Sequence, residues 1–74
     1  SSYEEHSVGE DRVYVTDDVG TVWAFNAEDG SSVWKQEDLA NRFVTGPVYF
    51  QGHVVVSDFE GYVHWLNAKT GEFE

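Results

Sequence analysis

Residues 12–30 of the chain read RVYVTDDVGTVWAFNAEDG, and residues 53–71 read HVVVSDFEGYVHWLNAKTG. The second stretch lies 41 positions after the first, and eight of the nineteen aligned positions are identical without a gap. Self-similarity at a fixed spacing is the signature of a repeat architecture. We therefore expect this chain of 74 residues to contain two copies of one structural unit.

The residue types within each copy predict antiparallel β-strands. Runs of β-branched residues at 12–17 and 53–58 are typical of strands. Gly20 and Gly61 are expected to close the turns that follow, because glycine adopts a positive φ without steric cost. The predicted strands cover 2–8, 12–17, 21–26 and 31–36 in the first unit, and 43–49, 53–58, 62–67 and 72 onward in the second.

A four-stranded unit that repeats about every 40–45 residues is typical of a β-propeller blade. We therefore predict an all-β fold of about two four-stranded antiparallel blades. Residues 1–36 form the first predicted blade and residues 37–42 an inter-blade connection. Residues 43–74 form a second blade whose fourth strand is incomplete.

Composition excludes several classes of function. Fourteen Asp and Glu residues face four Lys and Arg residues, a net charge of −10, which argues against binding to nucleic acid or to anionic lipid. The absence of cysteine excludes disulfides and thiolate metal sites. A hydrophobic fraction of 41% is too high for a disordered acidic tail. Since the first residue is not Met, we expect a piece of a longer, exported protein.

The turn after the third strand carries a recognisable motif. Residues 24–34 read AFNAEDGSSVW, with the spacing A-x-D-x-x-T-G-x-x-x-W. This spacing resembles the tryptophan-docking motif of quinoprotein-type (PQQ-like) β-propellers, which implies an eight-bladed ring. The matching positions are Ala24, Asn26, Gly30 and Trp34 in the first copy, and Asn67, Thr70 and Gly71 in the second.

The chain departs from that motif in places. Asn26 stands where the family has Asp, Asp29 where it has Thr, and Trp65 where it has Ala. The resemblance implies that Trp34 packs against the glycine turn of the next blade, where a rigid aromatic surface covers bare backbone. We also expect Trp23 and Trp65, both on third strands, to pack at matching depth in the core or between blades.

A longer stretch makes the resemblance more specific. Residues 57–65, SDFEGYVHW, resemble the last blades of non-catalytic family members that serve the bacterial outer-membrane β-barrel assembly machinery. This resemblance implies a scaffold without cofactor, at the periplasmic face of the outer membrane, whose parent protein is lipid-anchored and binds another subunit of that machinery. Two alternatives stay open: a piece of a PQQ-dependent dehydrogenase, and a generic propeller module for protein interaction.

Candidate partner-binding residues lie in the inter-blade connection, because loops carry binding more often than strands do. They are Leu39, Arg42 and Phe43. The alternative is that Leu39 and Phe43 merely cover the end of the blade.

No catalytic or metal-binding residues are predicted. His6, His53 and His64 fit no ligand spacing. Asp17 and Asp58 recur once per repeat, as turn residues do, and are expected to accept hydrogen bonds from the backbone N–H groups that follow.

Two blades do not close a ring. They leave open strand edges and an apolar face that only a neighbour can bury. We therefore expect the isolated chain to self-associate, and four copies would supply eight blades.

Overall fold

The chain folds into two antiparallel sheets that follow one another in sequence. The computed structural model describes residues 3–9 and 11–74. The first sheet contains β1 (Tyr3–Gly9), β2 (Arg12–Asp17), β3 (Val22–Asn26) and β4 (Ser32–Gln36), and the second contains β5 (Thr45–Phe50), β6 (His53–Ser57) and β7 (Val63–Asn67). Within each sheet, each strand pairs with its neighbour in sequence. The predicted all-β propeller fold is thereby confirmed.

The part of the chain that the structure describes has no helix that is long and apolar enough to cross a membrane.

Two predicted strands need correction. The first strand of the second unit begins at Thr45 rather than at residue 43, since Phe43 has a φ of 52°, outside the strand region. The second sheet has three strands rather than four, because residues 72–74 contribute only an isolated bridge between Leu66 and Phe73. Ser1 and Ser2, which the predicted first blade includes, lie outside the described residues.

The turns between the second and third strands of each unit are built alike. The N–H of Gly20 donates to the carbonyl of Asp17 over 3.2 Å, and the N–H of Gly61 donates to that of Asp58 over 3.1 Å. Both glycines have a positive φ, 100° and 96°. The prediction that glycine closes these turns is confirmed.

The core lies between the two sheets. It consists of the apolar residues Tyr14, Val22, Ala24, Leu39, Val54, Val56, Leu66 and Ala68. The ring of Tyr14 stacks on that of Tyr49, with centroids 5.7 Å apart. Full burial of a Val or Leu side chain stabilises a fold by about 1.5–3 kcal/mol. One face of each sheet therefore provides the contact that holds the chain together.

Trp23 and Trp65 both point away from this core, because the residues beside them in the strands (Val22, Ala24 and Leu66) belong to it. The 41-residue offset aligns Trp23 with His64, and Trp65 with the fully buried Ala24. Because successive strand side chains point to opposite faces, this difference of one position places the two indoles on opposite faces of the repeat unit. The indole of Trp23 stacks on Phe25, whereas Trp65 pairs across the sheet with Val55 and is 42% exposed. Neither indole belongs to the core between the two sheets, and the expectation that both pack between blades stays a prediction.

Candidate functional site

The turn that follows β7 forms one side of the contact between the sheets. Its backbone is tied by Asn67, whose Oδ1 accepts hydrogen bonds from the N–H groups of Lys69 (2.8 Å) and Thr70 (3.3 Å). The N–H of Gly71 donates to the Asn67 carbonyl over 2.7 Å, and Gly71 has a φ of 79°. The turn therefore presents a surface of bare backbone at Gly71.

Trp34, which comes from β4 of the first sheet, covers that surface. A β-carbon on Gly71 would lie 2.5 Å from Cε3 and 2.6 Å from Cδ2 of the indole. The indole Nε1–H donates to the carbonyl of Ala68 over 2.9 Å. Only glycine fits beneath the ring, since any side chain would overlap the indole.

Two further side chains of the first sheet bind the same turn. Arg12 donates from Nη1 to the carbonyl of Ala68 over 2.9 Å, and Gln36 donates from Nε2 to that of Gly71 over 2.8 Å. Together with Trp34, these side chains form what we call the docking contact. Sequence reasoning missed Arg12 and Gln36, although Gln36 stands two residues after Trp34 and so shares its face of the strand.

A cleft of about 320 Å³ opens beside the docking contact. Its lining residues are Arg12, Tyr14, Gly52, Asn67, Ala68 and Lys69.

The first copy of the motif is placed differently. The carbonyl of Asn26 accepts the N–H of Gly30 over 2.8 Å, and Gly30 has a φ of 77°, so the turn has the same form as the second copy. Apart from its two chain neighbours, no described residue lies within 4 Å of a β-carbon built on Gly30. The structure therefore brings Trp34 onto the turn from Asn67 to Gly71, and leaves the turn from Asn26 to Gly30 uncovered.

Two other motif positions have local roles. Thr70 is exposed, and its hydroxyl accepts the N–H of Glu72 over 3.2 Å. Asp29 accepts hydrogen bonds from the N–H and the hydroxyl of Ser31, which lower the pKa of its carboxyl group.

Asp17 and Asp58 organise the turns at the other end of the sheets. Asp17 Oδ1 accepts the N–H groups of Val19, Gly20 and Thr21, while its Oδ2 accepts the indole N–H of Trp23. Asp58 Oδ1 accepts the N–H groups of Glu60 and Tyr62. The predicted turn role of both aspartates is confirmed.

The second oxygen of Asp58 binds His64. The distance from His64 Nε2 to Asp58 Oδ2 is 2.9 Å. This hydrogen bond is the main reason why the pKa of Asp58 lies below its ordinary value; burial opposes the shift, and the N–H groups of Tyr62 and Glu60 support it. Arg42 lies close to the same carboxylate, with Nη1 3.6 Å from Oδ2.

The connection between the sheets packs on these turns. The N–H of Asn41 donates to the carbonyl of Val19 over 2.6 Å. The side chain of Leu39 is only 2% exposed and belongs to the core, which leaves it no surface for a partner. We therefore remove Leu39 from the candidate partner-binding residues.

Arg42 and Phe43 are both exposed. The ring of Phe43 meets that of Phe59 edge to face, with centroids 5.7 Å apart. Sequence reasoning did not select Phe59, and no signal in the sequence marks it, because its position in a turn does not disclose what it contacts.

His53 and His64 have local partners. His53 Nε2 lies 2.5 Å from Glu74 Oε1, and the side chain of His6 lies outside the described part. Among the side chains that the structure describes, no three His, Asp or Glu groups are arranged to hold a metal ion.

Comparison with known proteins places this architecture in a family. A family model described as "Outer membrane protein assembly factor BamB" matches residues 2–73. Proteins of that name from Kangiella koreensis and Salmonella typhimurium are 49% and 40% identical, over 95% and 97% of this chain. The chain spans 18% of the length of each of these two relatives.

Solved structures show the same fold. The crystal structure of BamB from Moraxella catarrhalis superimposes with a TM-score of 0.92 and 34% identity, covering all of this chain and 23% of that one. A europium-containing methanol dehydrogenase gives a TM-score of 0.76 at 22% identity, over 92% of this chain and 14% of that one, a likeness of fold alone. Because the family model covers nearly every residue and the sheets superimpose closely, the chain belongs to the BamB family of outer membrane protein assembly factors.

Proposed function

We propose that this chain is a two-blade segment of a non-catalytic scaffold that assists the assembly and insertion of β-barrel proteins into the bacterial outer membrane. The family match over residues 2–73 carries this proposal. The relatives that support it are named outer membrane protein assembly factors. Residues 1–36 and 43–74 are the two proposed blades, and residues 37–42 are the proposed connection.

The docking contact supports a scaffold role. Arg12, Trp34 and Gln36 each donate to a backbone carbonyl of the neighbouring turn. Their polar groups therefore join two sheets. We propose that one such contact joins each pair of consecutive blades in an eight-bladed ring. The motif residues proposed for the contact between these two blades are Trp34, Asn67, Thr70 and Gly71. Ala24, Asn26 and Gly30 are the first-copy residues proposed for the equivalent contact with a preceding blade.

The proposed partner is a BamA-like subunit of the assembly machinery, reached through the full-length protein. The proposed location is the periplasmic face of the outer membrane, with the parent protein held there by a lipid anchor. Arg42 and Phe43 are the proposed contact residues, because both are exposed at the end of the sheets, away from the docking contact. The proposal includes no cofactor and no chemical step.

The test uses the full-length protein, tagged, in a bacterium whose own assembly factor is deleted. We expect the tagged protein to restore the level of outer-membrane β-barrel proteins and to co-purify with BamA. A Phe43→Ser variant should reduce co-purification, while a Val33→Ser variant on β4, also at an exposed site, should not. Failure of the unmodified protein to restore those levels or to retain BamA would contradict the proposal.

A further inference from the structure

Two phenylalanines from different segments meet at the surface. Phe43 ends the connection between the sheets and Phe59 lies in the turn before β7; they are 70% and 68% exposed. Their rings form an edge-to-face pair with an interplanar angle of 77°. Val19 and Tyr62, at the same end of the sheets, are 43% and 63% exposed. A packed pair of exposed aromatic rings with further exposed apolar side chains at the same end of the sheets is typical of interaction sites in soluble proteins.

Backbone and side-chain contacts connect the two segments that carry this pair. The N–H of Phe59 donates to the carbonyl of Arg42 over 3.4 Å. The Arg42 guanidinium lies 3.6 Å from the buried carboxylate of Asp58 and 3.5 Å from the exposed carboxylate of Glu60. These contacts tie the connection to the turn on both sides of the rings. A surface whose side chains are positioned in advance loses less entropy on binding.

The backbone at Phe43 is strained. Its φ of 52° lies in the left-handed region, where a bulky residue is a rare outlier. The exposed ring recovers little of that cost through burial. Strain retained at an exposed side chain points to a role for the side chain outside the fold.

The charge around the pair indicates what it would bind. Residues 17–21, 35–44 and 58–62 carry six Asp or Glu residues and two cations, Lys35 and Arg42. Both cations already pair with carboxylates of the same surface. The exposed acidic residues here are Asp18, Glu37, Asp38 and Glu60. A partner that fits must be apolar at its centre and basic at its edges.

Neighbouring blades do not compete for this surface. Another sheet would stack on the faces that carry Trp23 or Trp65, whereas the phenylalanine pair lies at the end where the turns are. The acidic surroundings also oppose an anionic bilayer, since such membranes attract Lys and Arg.

We infer that the surface formed by Val19, Phe43, Phe59 and Tyr62 docks a protein segment that presents an apolar side chain between Lys or Arg residues. This inference rests on the proposed function, because it specifies which residue types the proposed partner of the scaffold presents at the contact. The apolar side chain packs against the two rings, and the basic residues pair with the acidic rim.

The experiment measures binding of the full-length protein to two synthetic peptides by calorimetry. One peptide alternates leucine with lysine, and the other alternates leucine with glutamate. We expect binding of the lysine peptide only, about tenfold weaker for a Phe43→Ser/Phe59→Ser variant. A Val33→Ser control retains every charge and should bind as the parent does. Phe43→Gly removes one ring and relieves the strained backbone, so it should bind more weakly while folding at least as stably.

Equal binding of the lysine peptide by the parent and the double variant would overturn the inference, because charge alone would explain it. Binding to phosphatidylethanolamine–phosphatidylglycerol vesicles that depends on both phenylalanines would also overturn it. Intact co-purification of BamA with the double variant leaves the proposed scaffold role in place but removes Phe43 and this surface from the proposed contact with BamA. Loss of BamA from the unmodified protein, with peptide binding intact, removes the proposed function instead.

Discussion

The indole of Trp34 occupies the space that a side chain on Gly71 would need. A β-carbon on Gly71 would lie 2.5 Å from Cε3 of Trp34, and the two residues belong to different sheets. The same indole donates to the carbonyl of Ala68. Contact between the sheets therefore requires a residue without a side chain at position 71 and the indole of Trp34 above it.

Gly71→Ala should destabilise the chain more than Gly30→Ala. Both glycines have a similar positive φ, which costs alanine about 1–2 kcal/mol. Only Gly71 lies under an indole, so its substitution must also displace Trp34, for a total of about 3 kcal/mol. Urea unfolding of the 74-residue chain, followed by tryptophan fluorescence, measures both. Equal losses of unfolding free energy in the two variants would mean that Trp34 can be displaced at no cost, which would contradict the prediction.

Two substitutions of Trp34 should distinguish the stability that its ring contributes from the stability that its hydrogen bond contributes. Trp34→Phe keeps an aromatic cover over Gly71 and loses the N–H donor, at a cost of about 1 kcal/mol. Trp34→Ala also loses the half-buried ring, and we expect a cost of about 2–3 kcal/mol, below the range for a fully buried tryptophan. Val33→Ala, on the same strand, is the control. A Phe variant as unstable as the Ala variant would contradict the ring's role.

Gly20→Ala should cost more than Gly61→Ala, although the two glycines are equivalent in the repeat. A β-carbon on Gly20 would lie 2.8 Å from the backbone carbonyl oxygen of Leu39. Apart from its two chain neighbours, no described residue lies within 4 Å of a β-carbon on Gly61. Because a backbone carbonyl in a packed connection cannot swing away, we expect an excess of about 1–3 kcal/mol. Parallel unfolding curves measure that excess. If the costs were equal, the connection would have to be more loosely held than its hydrogen bonds indicate.

Acidification should remove a stabilising contribution from Asp58. Its pKa in the folded chain lies below the ordinary value of 3.8, mainly because His64 donates to it. The ionised carboxylate therefore favours the native state above that value, and the contribution is lost as the pH falls through 3.8 towards the folded pKa.

Asp58→Asn should consequently lose less stability than the parent between pH 6 and pH 3. Urea unfolding at each pH provides the measurement. Asp29→Asn is the comparison and should change the pH dependence of stability less. Hydrogen bonds from Ser31 also lower the pKa of Asp29, but this residue lies in an exposed turn, where solvent screens the charge. An unchanged pH dependence in Asp58→Asn would show that Asp58 titrates alike in both states.

The isolated chain should self-associate through its outer sheet faces, and more so at high salt. Val63 is 56% exposed and Trp65 is 42% exposed on the outer face of the second sheet. Salt screens the net charge of −10 that opposes association. Light scattering should show a mass that rises with concentration. Val63→Lys should lower it, whereas Val19→Lys, at the end of the sheets, should not. A monomer at all concentrations would contradict the expectation.

Much of the fold follows from local pattern. The repeat places Gly20 and Gly61 in equivalent turns, and the β-branched runs give β2 and β6, because turn chemistry and strand preference act over a few residues. Trp23 and Trp65, which lie one position apart in the repeat, occupy opposite faces of the repeat unit. In a strand, one position exchanges the two faces.

By itself, the sequence determined two consecutive units of antiparallel strands, the incompleteness of the second, and the turn residues that separate the strands. Only the tertiary structure decided that Arg12 and Gln36 bind the turn beneath Trp34, that Leu39 is buried, and that Phe59 meets Phe43 in solvent. The reason is physical: strand and turn formation depend on neighbours along the chain. A contact across 34 residues, such as the Trp34–Ala68 hydrogen bond, depends on how two sheets pack.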